Sequence, residues 1–233
     1  QGAAEIDFNN DGMPDVYLTN GYLSKGTAKD YDERFWRHDL YDSETETKVD
    51  IARLLRETGP GAFLKEDDRS WAPFQKNRLL ANFGDDGFVD IAYLMGVSRE
   101  LDGRATVAVD LNQDGKLDLI VLEIDSVEEE MNVKILENNT ARAGNWIGVQ
   151  LKPAKERSAV GARVRLIGED FETVKTNVFG EAYSAQSPSM LHFGIGSATT
   201  VKAIEIVWAD GVVSRMTSPG INRYHAFAPG EEK

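Results

Sequence analysis

Two short stretches of the chain concentrate oxygen donors at a spacing that suits a divalent cation. Residues 7–15 read Asp7-Phe8-Asn9-Asn10-Asp11-Gly12-Met13-Pro14-Asp15, and residues 110–118 read Asp110-Leu111-Asn112-Gln113-Asp114-Gly115-Lys116-Leu117-Asp118. Both are D-x-N-x-D-G-x-x-D. Side-chain oxygens at positions 1, 3 and 5 converge when such a loop curls around an ion. Gly at position 6 permits the sharp turn that brings the position 7 carbonyl inward, and Asp at position 9 closes the shell. The expected ligands are Asp7, Asn9, Asp11 and Asp15 with the backbone carbonyl of Met13, and Asp110, Asn112, Asp114 and Asp118 with the backbone carbonyl of Lys116. The set suits Ca²⁺, which takes six to eight oxygens, better than Mg²⁺, which demands tight octahedral geometry and retains waters. Two Ca²⁺ sites are therefore expected. Without a cation, three carboxylates per loop repel one another.

An EF-hand begins similarly but needs Glu at position 12 and a helix on each side. Position 12 is Leu18 in the first loop and Val121 in the second, and strand-forming sequence follows both: Val16-Tyr17-Leu18-Thr19 and Leu119-Ile120-Val121-Leu122. A single copy of the motif could be an ordinary Asx-rich turn that binds nothing. Two copies with matching ligands and flanks indicate a repeated structural unit.

The elements that must position these loops read as mainly β. The copies lie too far apart for one blade-sized repeat of about 40–50 residues, and an insertion at about 22–76 explains the excess. Within it, Ser43-x-x-Glu46 is a capping box, followed by an apolar helical stripe of Val49, Ile51, Ala52, Leu54 and Leu55 that Gly59-Pro60 stops. A weaker helix opens at Asp30-x-x-Glu33 and carries Phe35, Trp36 and Leu40. Residues 77–91 predict a hairpin around Gly84-Asp85-Asp86-Gly87, and Thr106–Val109 a strand entering the second loop. The acidic residues 125–130 are expected in an exposed turn. Asn138-Asn139-Thr140 matches a glycosylation sequon.

From Asn145 the pattern changes to short alternating strands, at 146–151, 162–167, 172–176, 190–193, 203–208 and 212–216. That predicts a small β-sandwich or barrel-like unit, with a boundary near residue 142. The expected architecture is thus mainly β, with a helical insertion, over 1–142, followed by a small β-sandwich or barrel-like domain over 143–233.

Composition excludes several classes. The chain has 233 residues, a net charge of −13 and no Cys. Nucleic acid and anionic membranes want a basic face. The lack of Cys removes disulfide scaffolds, thiolate zinc sites and Cys nucleophiles. No apolar run approaches the roughly 18 residues of a membrane helix. The chain opens in strand-like sequence at Gln1, as expected of a chain whose leader has been removed. His38, His192 and His225 form no zinc-type pair, and neither a G-x-S-x-G elbow nor a Walker loop is present. His192 is expected to pack or hydrogen-bond rather than catalyse.

The loops, each with its following strand, resemble FG-GAP (VCBS-type) repeats, the Ca²⁺-binding blades of integrin-alpha-like β-propellers. The hairpin at 77–91 resembles that family's N-x-L-x-x-N-x-G-D-G-x-F element, with Ala81 and Asp86 as departures. Asn145-Trp146-Ile147-Gly148-Val149, Gly161-Ala162-Arg163-Val164, Ser184-x-Gln186-Ser187-Pro188, His192-Phe193-Gly194-Ile195-Gly196 and Ile204–Gly211 resemble the ASPIC/UnbV domain that follows such propellers in cartilage-acidic-protein-like proteins. The resemblance implies an extracellular or periplasmic protein with Ca²⁺ in its blade loops. Such propellers usually have about seven blades, and this chain has sequence for roughly two. The expected role is a calcium-stabilised interaction or adhesion scaffold, with a protein partner or further propeller blades completing it. The alternatives are a carbohydrate-binding module that would use Trp36 or Trp71 to hold a glycan, and an enzyme or enzyme subunit such as a glycan-active hydrolase built on a carboxylate pair.

Overall fold

A computed structural model describes residues 2–25, 70, 72–125, 128, 130–154, 158–178, 180 and 182–229. The helices expected between residues 30 and 60, Trp36 and Trp71 lie outside the described residues.

The described chain is mainly β. Strands β1 (Ala3–Ile6), β2 (Asp15–Leu18), β3 (Arg78–Asn82) and β4 (Phe88–Asp90) form an antiparallel meander in chain order. A short 3₁₀ turn at Gly84–Asp86 joins β3 to β4, so the hairpin expected at 77–91 is present. A second meander follows: β5 (Asp102–Val109), β6 (Asp118–Asp125) and β7 (Glu130–Leu136). β5 begins earlier than its apolar residues indicate. Where the acidic residues predict a turn, Asp125 ends β6 and Glu130 starts β7, a strand whose seven residues escaped the sequence reading. Each loop of interest connects the first two strands of its sheet.

Alternation decides what each sheet buries. Leu119 and Val121 of β6 point to one side, where they meet Ile6, Tyr17 and Leu79 of the first sheet in a common core. Opposite side chains in an antiparallel pair share a face. On the other side of the second sheet, Ile120, Leu122 and Ile124 therefore lie beside Ile135, Val133 and Met131 of β7. Within the inner core, Glu123 is fully buried and held by Arg99 Nε at 2.6 Å. Tyr17 is also fully buried, and its hydroxyl donates to Val97 O and accepts from Asn77 Nδ2.

Among the described residues, the strands beyond residue 142 pair with one another. β8 (Asn145–Leu151) lies between β11 (Met190–Gly196) and β14 (Arg223–Phe227), with β14 parallel to it. β9 (Arg163–Ile167), β10 (Glu172–Thr176), β12 (Ala203–Val207) and β13 (Val213–Thr217) form the sheet β10-β9-β12-β13. Ile147, Val149, Val164, Leu166, Phe193, Ile204, Ile206 and Phe227 interleave in one core drawn from both sheets. Trp208 is buried with them, and its indole N–H donates to Ser214 Oγ at 3.0 Å. β14 is an edge strand of its sheet, and its mixed residues (Arg-Tyr-His-Ala-Phe) hid it from pattern reading.

Candidate metal centre

The two acidic loops repeat the same bonds from backbone N–H to side-chain oxygen and differ at the position 3 amide, which donates to Asp11 from Asn9 and to Glu137 from Asn112. In the first, Asp7 accepts from the Asp11 and Gly12 N–H groups at 3.1 and 3.0 Å, Asn9 Oδ1 from Asp11 N–H at 3.2 Å, and Asp11 from Met13 N–H at 2.7 Å. In the second, Asp110 accepts from Asp114 and Gly115 at 3.1 and 2.8 Å, Asn112 Oδ1 from Asp114 at 3.0 Å, and Asp114 from Lys116 at 2.9 Å. The last acid closes each loop in the same way. Asp15 accepts from Phe8 and Asn82 N–H, and Asp118 from Leu111 and Asn138 N–H. The backbone is left-handed at position 4 (φ 58° at Asn10, 61° at Gln113) and at position 6 (φ 87° at both Gly12 and Gly115). The Gly at position 6 supplies a conformation that a side chain would strain.

Asn82 and Asn138 are equivalent too. The side-chain amide of each donates to the carbonyl of loop position 8, Pro14 or Leu117, at 3.1 Å. Each side-chain oxygen accepts from the N–H two residues on, at Gly84 or Thr140. Asn138 donates further to Phe8 O, across to the first loop. The sequon at Asn138 is therefore the second copy of a structural Asn-x-Gly/Thr turn, and its amide is already spent inside the fold.

The structure places every predicted ligand on one of these two loops. The acids at positions 1 and 9, Asp7 and Asp15 or Asp110 and Asp118, are buried. Positions 3 and 5 lie nearer solvent. Among the described residues, no group of three or more His, Asp or Glu side chains stands ready-assembled around a metal position. The reason is visible in the bonds above: the carboxylates are turned onto the loop's own N–H groups. Each carboxylate oxygen has two lone pairs, so an oxygen that accepts one N–H retains capacity for a cation. The donor set fits a hard ion: three carboxylates, one amide oxygen and one carbonyl per loop.

The electrostatics of the loops differ. Burial pushes Asp7 up to about 6, against the Gly12 N–H, with Asp11 and Asp15 adding repulsion. Burial also pushes Asp15 to about 6, against the Asn82 and Phe8 N–H groups. Burial is the main cause of both shifts, and repulsion between the acids adds to it. In the second loop, the upward push of burial on Asp114 is outweighed by the backbone N–H and ammonium of Lys116, whose Nζ lies 3.2 Å away. Met13 occupies the equivalent position in the first loop.

Strands of the C-terminal unit cover both loops, by contacts too distant in sequence for spacing to reveal. Asn10 Nδ2 donates to Gly115 O at 2.8 Å, joining loop to loop. Its Oδ1 must then accept, so His192 Nε2 carries the proton of their 2.7 Å bond. His192 Nδ1 is buried without a partner, and burial pushes the imidazole down to about 4. The ring is a neutral packing and hydrogen-bonding group, as the sequence suggested. Trp146 stacks on it with centroids 5.4 Å apart and leans on Tyr224 at 4.8 Å. The Tyr224 hydroxyl donates to Asp110 Oδ2. Gly196 N–H donates to Asn10 O at 2.8 Å, and Gly144 N–H to Asn9 O at 2.7 Å.

Residues 152–233 match the protein family described as ASPIC and UnbV. The C-terminal part of the chain thus carries an ASPIC/UnbV domain, and β8, with Trp146, immediately precedes the matched span. No curated protein matches the chain.

Proposed function

We propose that this chain is a calcium-stabilised interaction scaffold of an extracellular or periplasmic protein, its first two sheets being neighbouring FG-GAP/VCBS-type propeller blades. The observation that carries this reading is that the two D-x-N-x-D-G-x-x-D loops repeat the same backbone-to-carboxylate bonds. Turns that bind nothing have no reason to repeat the same oxygen geometry, the same two left-handed residues and the same closing Asn. Asp7, Asn9, Asp11, Asp15 and Met13 O would hold one ion; Asp110, Asn112, Asp114, Asp118 and Lys116 O the other. Each ion offsets the repulsion of buried acids and fixes how the second strand of a blade follows the first.

The scaffold role draws on the outer face of the second sheet. Met131, Val133 and Ile135 are 74, 65 and 63% exposed, beside Ile120, Leu122 and Ile124. The opposite face of this sheet already packs on a sheet of the same kind. A further blade or a protein partner with an apolar sheet face is the matching cover. At an extracellular-type affinity of about 10⁻⁴–10⁻³ M, about 1 mM Ca²⁺ stabilises each site by about 0.4–1.4 kcal/mol. Calorimetric titration of the chelated protein with CaCl₂ tests the reading. Two ions per chain are expected, and one in Asp114→Ala; absence of any binding at millimolar calcium would remove it.

One observation favours carbohydrate binding as a second reading. An open groove of about 560 Å³ is lined by Phe74, Gln75, Lys76, Arg78, Asp90 and Tyr93, among others. Tyr93 is 82% exposed, offering a ring face beside polar groups. A glycan array tests it: specific retention of a sugar, lost in Tyr93→Ala, would support it.

A further inference from the structure

The C-terminal unit reaches the same atom of both loops. In the second loop, Asp110 Oδ2 accepts from Gly115 N–H and from the Tyr224 hydroxyl, which fills its two lone pairs. Asp110 Oδ1 accepts only Asp114 N–H, which leaves a lone pair on that side. In the first loop, Asp7 Oδ2 accepts from Gly12 N–H, and Gly194 lies against it so closely that an added Cβ would stand 2.0 Å away. Asp7 Oδ1 likewise accepts a single N–H, from Asp11. In both loops the oxygen against the C-terminal unit is Oδ2, by a hydrogen bond at Asp110 and by steric cover at Asp7, and Oδ1 accepts a single N–H.

The cover is continuous. His192 holds Asn10 of the first loop, Tyr224 holds Asp110 of the second, and Trp146 lies against both rings. Gly115 must be Gly here, since an added Cβ would stand 1.9 Å from the Trp146 indole nitrogen. Asn10 bonds to both the other loop and His192, so a shift of either loop disturbs the whole layer.

We infer that the C-terminal unit is the outer coordination layer of both loops: it fixes the first carboxylate of each with Oδ1 presented to the ion, so that calcium binding and the seating of this unit strengthen one another. This rests on the calcium reading above. Tyr224 and Asn10 are positioning residues, not ligands. Groups that orient a ligand from behind typically change metal affinity 10–100-fold when removed. Coupling between binding and seating is reciprocal: if seating tightens the ion, the ion tightens the seating by the same factor.

The test uses the full chain, calcium alone as probe, and two readouts. Tyr224→Phe keeps the ring and removes the hydroxyl; Asn10→Gly keeps the left-handed turn and removes both side-chain bonds. Calorimetry should find two ions in each variant. In Tyr224→Phe one should be weakened on the order of tenfold; in Asn10→Gly both should be weakened. In the wild type, hydrogen exchange at the Gly144 and Gly196 amides, which are bonded to the first loop, should slow on the order of tenfold when calcium is added. Wild-type affinities in both variants, with exchange at those amides indifferent to calcium, would overturn the inference and leave the calcium reading standing. A wild type that binds no calcium would instead overturn the reading, and the inference with it.

Discussion

The two acidic loops share a backbone and differ in their surroundings. The first has Met13 at position 7 and two buried carboxyls pushed up to about 6. The second has Lys116 there, which pairs with Asp114, and a tyrosine hydroxyl on Asp110. The shared features are those that shape a cage for oxygen-loving cations. The differing ones set what the cage costs when empty: the first loop leaves its charges to an external cation, and the second supplies part of the compensation from the chain. The pair thus separates the geometric requirement of such a site from its electrostatic one.

The comparison breaks most visibly at position 6. Gly115→Ala combines left-handed strain with a collision against Trp146, and should destabilise by about 3 kcal/mol. Gly12→Ala meets only the Gly194 carbonyl oxygen, at 3.1 Å, and should lose about 1.5 kcal/mol, mostly strain. Urea unfolding of the two variants checks the order; equal losses would contradict the claimed packing on the second loop.

The closing asparagines sharpen it next. Asn138→Ala strips donors from both Phe8 O and Leu117 O and should lose about 2 kcal/mol. Asn82→Ala strips a donor from Pro14 O alone and should lose about half that. Thermal melts of the pair read the difference.

Proton competition distinguishes the loops without any substitution. Between pH 7 and 5 the raised carboxyls of the first loop take up protons, so its calcium affinity should fall on the order of tenfold or more. Asp114 of the second loop, lowered despite burial by the N–H and ammonium of Lys116, stays ionised. Calorimetry at the two pH values measures this directly. A melt alone would mislead. The raised Asp7 and Asp15 contribute stability that is fully present below the unfolded value of 3.8 and lost as pH rises through about 6. The depressed His192 contributes stability that is present above 6.5 and lost as pH falls through about 4. The two trends oppose each other in the same window.

The smallest expected effect is at position 5. In chelator, Asp11→Asn relieves repulsion on Asp7 and Asp15 and should raise stability by about 0.5 kcal/mol. Asp114→Asn breaks a part-exposed pair with Lys116 and should lower it by no more than that. The opposite signs, read by denaturant midpoint, are the informative result.

The sequence carried the loops well, because each oxygen donor and each turn glycine is written at a fixed local position. It carried β2 and β6 as apolar runs directly after the loops, and most C-terminal strands through alternation. It hid β7, whose acidic start reads as a turn, and β14, whose residues lack an apolar face. It also hid the layer above the loops. Asn10 and His192 are 182 positions apart, and neither residue type announces its partner. Asn138 misled in another way: Asn-x-Thr is both a glycosylation pattern and the second copy of the Asn82 turn, a match visible only once the two loops are aligned through their third strands.

A crystal structure of the full chain grown in millimolar calcium tests the central claim most directly. The account predicts one ion in each loop, at about 2.3–2.6 Å from Asp7, Asp11 and Asp15 in one and from Asp110, Asp114 and Asp118 in the other. Both loops empty at that concentration, with their aspartates still turned onto the backbone, would contradict it.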